Sequence, residues 1–183
     1  MARLVEGQDT ALRALMERHG EKLFHYLLRQ LNNESDAADL AQETFVRVYH
    51  HRGRFDPGQK FSTWLYSIAT NLLRDRFRWQ KRHPQVSLNA EPEAGRSLLE
   101  SLVETAAAPD ESLAAAERAG QVRDAIAALP EDLRTALVLS EYEQLSHAEI
   151  GAIQKCTPKA IETRLYRARV HLRKRLEKLL QPC

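Results

Sequence analysis

Leu145-Ser146-His147-Ala148-Glu149-Ile150-Gly151-Ala152-Ile153-Gln154-Lys155-Cys156-Thr157-Pro158-Lys159-Ala160-Ile161-Glu162-Thr163-Arg164-Leu165-Tyr166-Arg167 decides the fold. Ser146 with Glu149 three residues on is a capping box, so a short helix starts there and runs to about Gln154. Thr157 is a good N-cap, and Pro158 suits the first helical position of the next helix. Ile161, Leu165, Ala168, Leu172, Leu176 and Leu179 then recur at helical spacing, a buried stripe. Two helices joined by a short turn, the second carrying bases outside, is the helix-turn-helix pattern. The spacing puts Lys159, Thr163 and Arg167 opposite the stripe, with Arg164 and Arg169 flanking. Such a helix can point its N-terminal residues at base edges while longer Arg side chains reach phosphates. Hairpins with a charged outer face are also common without DNA, so both readings stand on this pattern alone.

Working outward, Val122, Ile126 and Leu129 suggest a helix ended by Pro130, and Leu133, Leu137 and Val138 another. From His83 to about Glu111 the chain is acidic, rich in Ala and Ser, and broken by Pro84, Pro92, Gly95 and Pro109, which reads as a linker. Ser97–Val103 within it suits a short helix. Before it lie three apolar stripes: Leu12, Leu15, Met16, Leu23, Leu27 and Leu31, with a possible bend near Gly20; Ala37, Leu40, Ala41, Phe45 and Val48, starting near Asn33; and Phe61, Trp64, Leu65, Ile68, Leu72 and Leu73. No stretch alternates as a strand does, and no hairpin dipeptide occurs. The expected fold is all-α: two small helical domains, 1–82 and 113–183, joined by a flexible acidic linker, 83–112, the C-terminal domain a helix-turn-helix.

The 183 residues carry 27 Lys and Arg against 25 Asp and Glu, but the layout is uneven. Glu34 to Glu43 holds four acids and no base, and Arg74 to Arg82 five bases and one acid. Gln85 to Glu117 holds seven acids and one base, and Lys155 to Lys178 nine bases and two acids. Clustered bases are the footprint of a polyanion site, although basic runs also complement helix C-termini. Ten of the twelve aromatic residues lie between Phe24 and Trp79. Rings beside bases suit unpaired DNA, whose bases stack while Arg and Lys hold the backbone. Packing claims much of Trp64 and Ile68 for the core, leaving Phe55, Phe61 and Tyr66 as the better candidates for exposure. The acids from Asp36 to Glu43 read as a protein-docking face or as a favourable helix start.

Other classes fall away. No apolar run reaches membrane-helix length, and Met1–Gly7 lacks the apolar core of a signal peptide. Cys156 and Cys183 form neither a CxxC nor a disulfide framework, so a reducing cytoplasm is expected. Cys156 with His147 falls short of a four-ligand metal site, and His50-His51 lacks partners. No Gly-rich phosphate loop, nucleophile elbow or paired-carboxylate pattern stands out. The expectation is therefore no enzyme, no cofactor and no metal.

Asp36-Ala37-x-Asp39-Leu40-x-Gln42-Glu43-Thr44-Phe45 and Trp64-Leu65-Tyr66-x-Ile68-Ala69-x-Asn71 resemble region 2 of the bacterial sigma factors. Leu129-Pro130-Glu131-Asp132-Leu133-Arg134, Leu145-Ser146-x-x-Glu149-Ile150 and Thr163-Arg164-Leu165-Tyr166-Arg167-Ala168-Arg169 resemble region 4. The two in this order, with no region 3, resemble the extracytoplasmic-function (ECF) sigma factors. The resemblance implies a non-catalytic subunit that binds core RNA polymerase and directs initiation at promoters with −10 and −35 elements. It implies docking on the β′ clamp helices through Asp36, Asp39, Leu40, Gln42 and Glu43, with the β subunit as a further contact. It implies −10 contacts from Arg47, Phe55, Phe61, Asn71 and Arg74, and from Trp64 and Tyr66 indirectly. For the −35 element it implies Thr157, Lys159, Glu162, Thr163 and Arg167, with Arg164 and Arg169 on phosphate. The linker would thread toward the RNA exit path, and an anti-sigma factor is a candidate partner. The competing reading is a free-standing helix-turn-helix regulator, which has no use for the acidic helix and the aromatic stripe.

Three positions depart from the family pattern. Lys155 stands where a Gly is frequent, so the turn either avoids positive φ or carries a small strain there. Gly151 replaces a usual Ala, which lowers helix propensity. Glu162 replaces a usual base; an acid can accept from cytosine N4 but repels phosphate, so the −35 sequence preference does not carry over.

Overall fold

The computed structural model describes residues 1–83 and 109–180, with side chains for 1–83 and 116–177. Every regular element among them is helical: α1 (Ala2–Val5), α2 (Thr10–Leu31), α3 (Glu34–His50), a 3-10 turn (Arg52–Arg54), α4 (Phe61–Arg82), α5 (Pro109–Ala127), α6 (Glu131–Glu141), α7 (His147–Gln154) and α8 (Pro158–Leu180). The short helix expected at Ser97–Val103 lies outside the described residues.

Two asparagines make the first corner. Asn32 ends α2 in the left-handed region (φ 52°), a conformation that Asn tolerates better than most residues. Asn33 then caps α3, its side chain accepting from the Asp36 N–H at 2.9 Å, with Glu34 and Asp36 on the positive end of the helix. The α2–α3 hairpin is thus set by two residues. Through it Leu23, Leu27, Ala37, Phe45 and Val48 meet Leu65, Ala69 and Leu73 of α4, all buried. Full burial of one such leucine contributes about 1.5–3 kcal/mol. Tyr26 is fully buried and shares a 2.8 Å hydrogen bond with Thr70, which satisfies both hydroxyls.

The C-terminal helices pack α6, α7 and α8 around Leu133, Ala136, Leu137, Ile150, Ile153, Ile161, Leu165 and Ala168. α5 lies against α8 and stops before Pro130. The capping box is present: Glu149 N–H donates to Ser146 Oγ (3.3 Å), and Ser146 N–H to Glu149 Oε2 (2.8 Å).

Several expectations change. Met16 and Val122, assigned to apolar stripes, are exposed on the outer sides of α2 and α5. α2 runs unbroken through Gly20. Tyr66, expected to be exposed, is only 5% exposed, because the C-terminal helices cover it.

That cover is a joint between the two groups of helices. α2 meets α5 and α6, and α4 meets α7. Gln30 of α2 and Thr135 of α6 are both buried there, 3.5 Å apart. Arg134 donates to the Gln30 carbonyl at 2.6 Å and lies over the Phe77 ring, 5.6 Å from its centroid. Arg29 lies 4.0 Å over the ring of Tyr142.

Candidate nucleic-acid interface

α7 and α8 meet through a turn that Gly151 makes possible. Cys156 N–H donates to the Gly151 carbonyl at 2.9 Å, folding the chain back over the helix. A Cβ on Gly151 would stand 2.7 Å from the Cys156 carbonyl oxygen. The glycine is thus a packing requirement rather than a loss of propensity alone. Lys155 takes φ +55°, so the turn does use the left-handed region, with a lysine carrying the strain. Thr157 then caps α8, accepting from Ala160 N–H at 3.2 Å.

On α8 Ile161, Leu165 and Ala168 are buried and Leu172 and Leu176 half-buried, the Leu179 side chain lying outside the described residues, while Lys159, Glu162, Thr163 and Arg167 are all exposed. Lys159 pairs with Glu162 at 2.7 Å and holds its carboxyl below the usual range, so Glu162 presents acceptors only. Thr163 donates to the Lys159 carbonyl at 3.1 Å. Tyr166 is 69% exposed between Thr163 and Arg167; sequence reasoning gave it no role, although its place off the apolar stripe was visible.

The two flanking arginines differ. Arg164 turns inward, where it donates to Gln154 Oε1, lies 3.3 Å from the Asp132 carboxylate and 3.4 Å from Cys156 Sγ. Gln154 is itself buried and donates to the Asp132 carbonyl at 3.0 Å. Arg164 therefore braces α8 against α6 and α7. Arg169 stays exposed and pairs with Glu141 at 2.8 Å.

In the N-terminal helices Phe55, Phe61 and Trp64 form a half-buried cluster. Ring centroids lie 5.2 Å apart for Phe55 and Trp64 and 6.3 Å for each of the other two pairs. Phe55 leaves the 3-10 turn extended, which folds its ring back on the start of α4. Asn71 and Arg74 are half-buried further along α4, and Arg74 reaches Glu131 of α6 at 3.8 Å. Tyr66 donates to Glu143, and Lys60 pairs with Glu149 at 2.8 Å. Burial first, then the Glu143 hydrogen bond, pushes the Tyr66 phenol far above its usual range. Arg47 sits apart on α3, paired with Glu43 at 2.8 Å.

On α3, Asp39 and Gln42 are exposed and Glu43 is half-buried. Asp36 is engaged by Arg76 of α4, and Leu40 is buried beneath the face at 8% exposure. Val46, which sequence reasoning passed over, is 47% exposed and continues the face of Asp39, Gln42 and Glu43 at helical spacing. Among the described residues no cluster of three His, Cys, Asp or Glu could hold a metal, and no helix is long and apolar enough to cross a membrane.

Residues 15–83 match the family described as Sigma-70 region 2, and residues 119–172 match Sigma-70, region 4. The ECF RNA polymerase sigma factor SigW of Bacillus subtilis is 35% identical over 95% of this chain and 93% of its own. The RNA polymerase sigma factor CarQ of Myxococcus xanthus is 36% identical over 98% and 97%. Among solved structures, CnrH in complex with the cytosolic domain of CnrY superposes with TM-score 0.71 at 26% identity, over 97% of this chain and 94% of that one. With both regions matched in order and full-length relatives of one kind above 30% identity, this chain belongs to the ECF sigma factors, the subunits that bind core RNA polymerase and direct it to initiate at promoters.

Proposed function

We propose that the two halves divide the work of promoter recognition by residue. α8 enters the major groove of the −35 element, with Thr157, Lys159, Glu162, Thr163 and Arg167 toward base edges and Arg169 on phosphate. The observation that carries this is the exposed polar face of α8, seated by the Gly151 turn. Arg164 serves this face as its brace. Phe55, Phe61 and Trp64 offer stacking surfaces to the unpaired −10 strand, and Asn71 and Arg74 hold it further along α4. Arg47 approaches from α3, and Tyr66 supports α4 from beneath. Asp39, Gln42 and Glu43 dock on the β′ clamp helices with Val46 as an apolar anchor, while Asp36 and Leu40 hold that face in place. Residues 1–82 and 113–183 act as the two recognition domains and 83–112 as the tether.

The chemistry of RNA synthesis belongs to the polymerase, and the protein works in the cytoplasm. An anti-sigma factor is a further candidate partner: the structural relative CnrH was solved with CnrY.

Transcription in vitro with core polymerase and fragmented genomic DNA tests the reading. Discrete transcripts that vanish without the protein, with shared upstream sequences, support it; salt-sensitive DNA binding without transcripts would favour the free-standing regulator. Asp39→Ala with Glu43→Ala is expected to abolish polymerase binding, whereas a regulator would keep its operator affinity.

A further inference from the structure

We propose that Lys159 and Glu162 act as one reading unit that selects a G·C base pair in the −35 element. This rests on the placement of α8 in the major groove proposed above, and adds the base identity at one position. The two side chains stand three positions apart on α8, with Lys159 Nζ 2.7 Å from Glu162 Oε2. Both are well exposed, at 80% and 56%. An exposed ion pair adds little to stability. This one also closes within a single helix, whereas Arg164 and Arg169 direct their charge to Asp132 and Glu141 of α6. The fold therefore does not account for the pair. Its place does: it sits near the start of α8, the part of a recognition helix that meets base edges.

The pair holds donors beside an acceptor. A lysine ammonium has three donors and uses one on Glu162, so two remain for DNA. The carboxylate only accepts: Lys159 above all, with a smaller pull from His147 of α7, keeps it ionised. Across its major-groove edge a G·C pair presents an N7 acceptor, an O6 acceptor and an N4 amino donor, in that order. O6 and N4 are hydrogen-bonded to each other within the base pair, about 2.9 Å apart, close to the separation of Nζ and Oε2. Lys159 on N7 and O6, with Glu162 on N4, satisfies the whole edge. An A·T pair presents acceptor, donor, acceptor and then the thymine methyl group. Lys159 on O4 would then meet the methyl group in place of a second acceptor. Glu162 on N6 would face N7, acceptor against acceptor. The carboxylate also repels phosphate, which penalises any docking in which it misses the cytosine amino group.

The test uses the full-length protein in holoenzyme, on a promoter mapped from its own transcript. Each −35 position is changed to every base pair in turn. Initiation is measured with wild type, K159A, E162A and R167A, and thermal melting confirms that each variant is folded. The wild type is expected to prefer G·C by about tenfold at one position. K159A and E162A should both flatten the preference there and leave the other positions as they were. Replacing that guanine by 7-deazaguanine, which lacks N7, should cost the wild type several-fold and K159A nothing. An A·T preference at the shared position, a preference that survives E162A, two different positions for the two variants, or equal 7-deazaguanine losses in wild type and K159A would overturn the proposal. R167A tests the underlying placement separately. If it loses −35 discrimination while K159A and E162A keep theirs, α8 reads the element and the pair does not. If all three variants keep the wild-type preferences, the placement falls and the proposal with it.

Discussion

The α-carbon of Gly151 lies so close to the carbonyl oxygen of Cys156 that an added methyl group would stand 2.7 Å from it. The obstacle is backbone, which cannot rotate away as a side chain can. Gly151→Ala must therefore shift the turn, and is expected to cost about 1–3 kcal/mol, at roughly 2–4 °C of Tm per kcal/mol for a chain of this size. Calorimetry checks this, and an unchanged Tm would show that the turn yields freely.

Lys155 gives the opposite prediction. A non-glycine residue at φ +55° costs about 1–2 kcal/mol, of which glycine's greater unfolded-state entropy takes back about 0.5–1 kcal/mol. Lys155→Gly should be neutral to stabilising by about 1 kcal/mol. Clear destabilisation in urea would mean that the lysine side chain contributes something that the fold alone does not reveal.

Glu149 links stability to pH. Lys60 above all, then Ser146, holds its carboxyl down at about 2 against an ordinary 4.5. Its folded pKa is depressed, so its contribution is fully present above about 4.5 and is lost as pH falls toward 2. Lys60 is largely exposed, so the ion-pair share is small and the cap share larger. Glu149→Gln should lower Tm at pH 6 and have little effect at pH 2.5. An equal loss at both would sink the linkage.

The arginines of α8 should separate by readout. Arg167→Ala is expected to cost about 1–3 kcal/mol of discrimination between promoter and non-promoter DNA. Arg164→Ala should leave the Asp132 carbonyl's partner Gln154 unbraced and lower Tm by several degrees, weakening binding equally on all sequences. Competition binding on matched and mismatched −35 duplexes, beside melting curves, distinguishes the two.

The local devices were legible in the sequence because each is written in adjacent residues. The capping box at Ser146 and Glu149, the Thr157-Pro158 start and the Asn33 helix start need no knowledge of the rest of the chain. What escaped depends on residues far apart. Tyr66 looks like an exposed ring until Glu143, 77 positions on, covers it. Arg164, expected on phosphate, is also held by Gln154 and Asp132, which its neighbours in sequence do not announce. Gly151 looks like a weak helix residue until the Cys156 carbonyl arrives above it. Met16 and Val122 fit helical spacing, but among the described residues neither is packed into the core, and they stay 43% and 37% exposed. Spacing marks a face as apolar; only the tertiary arrangement says whether something lies on it.

Both tryptophans of the chain, Trp64 and Trp79, belong to α4. Intrinsic fluorescence excited at the indole band therefore watches one half of the molecule, and the other half is dark apart from Tyr142 and Tyr166. Trp64 packs edge-on to Phe55, while Trp79 lies under the His83 ring near the end of the same helix. On the −10 assignment proposed above, a stacked base would quench Trp64, which makes it an optical probe of that face. A Tyr142→Trp variant with Trp64 and Trp79 replaced by Phe would move that probe to the far side of the joint, and comparing it with the wild type would follow the two halves in separate samples.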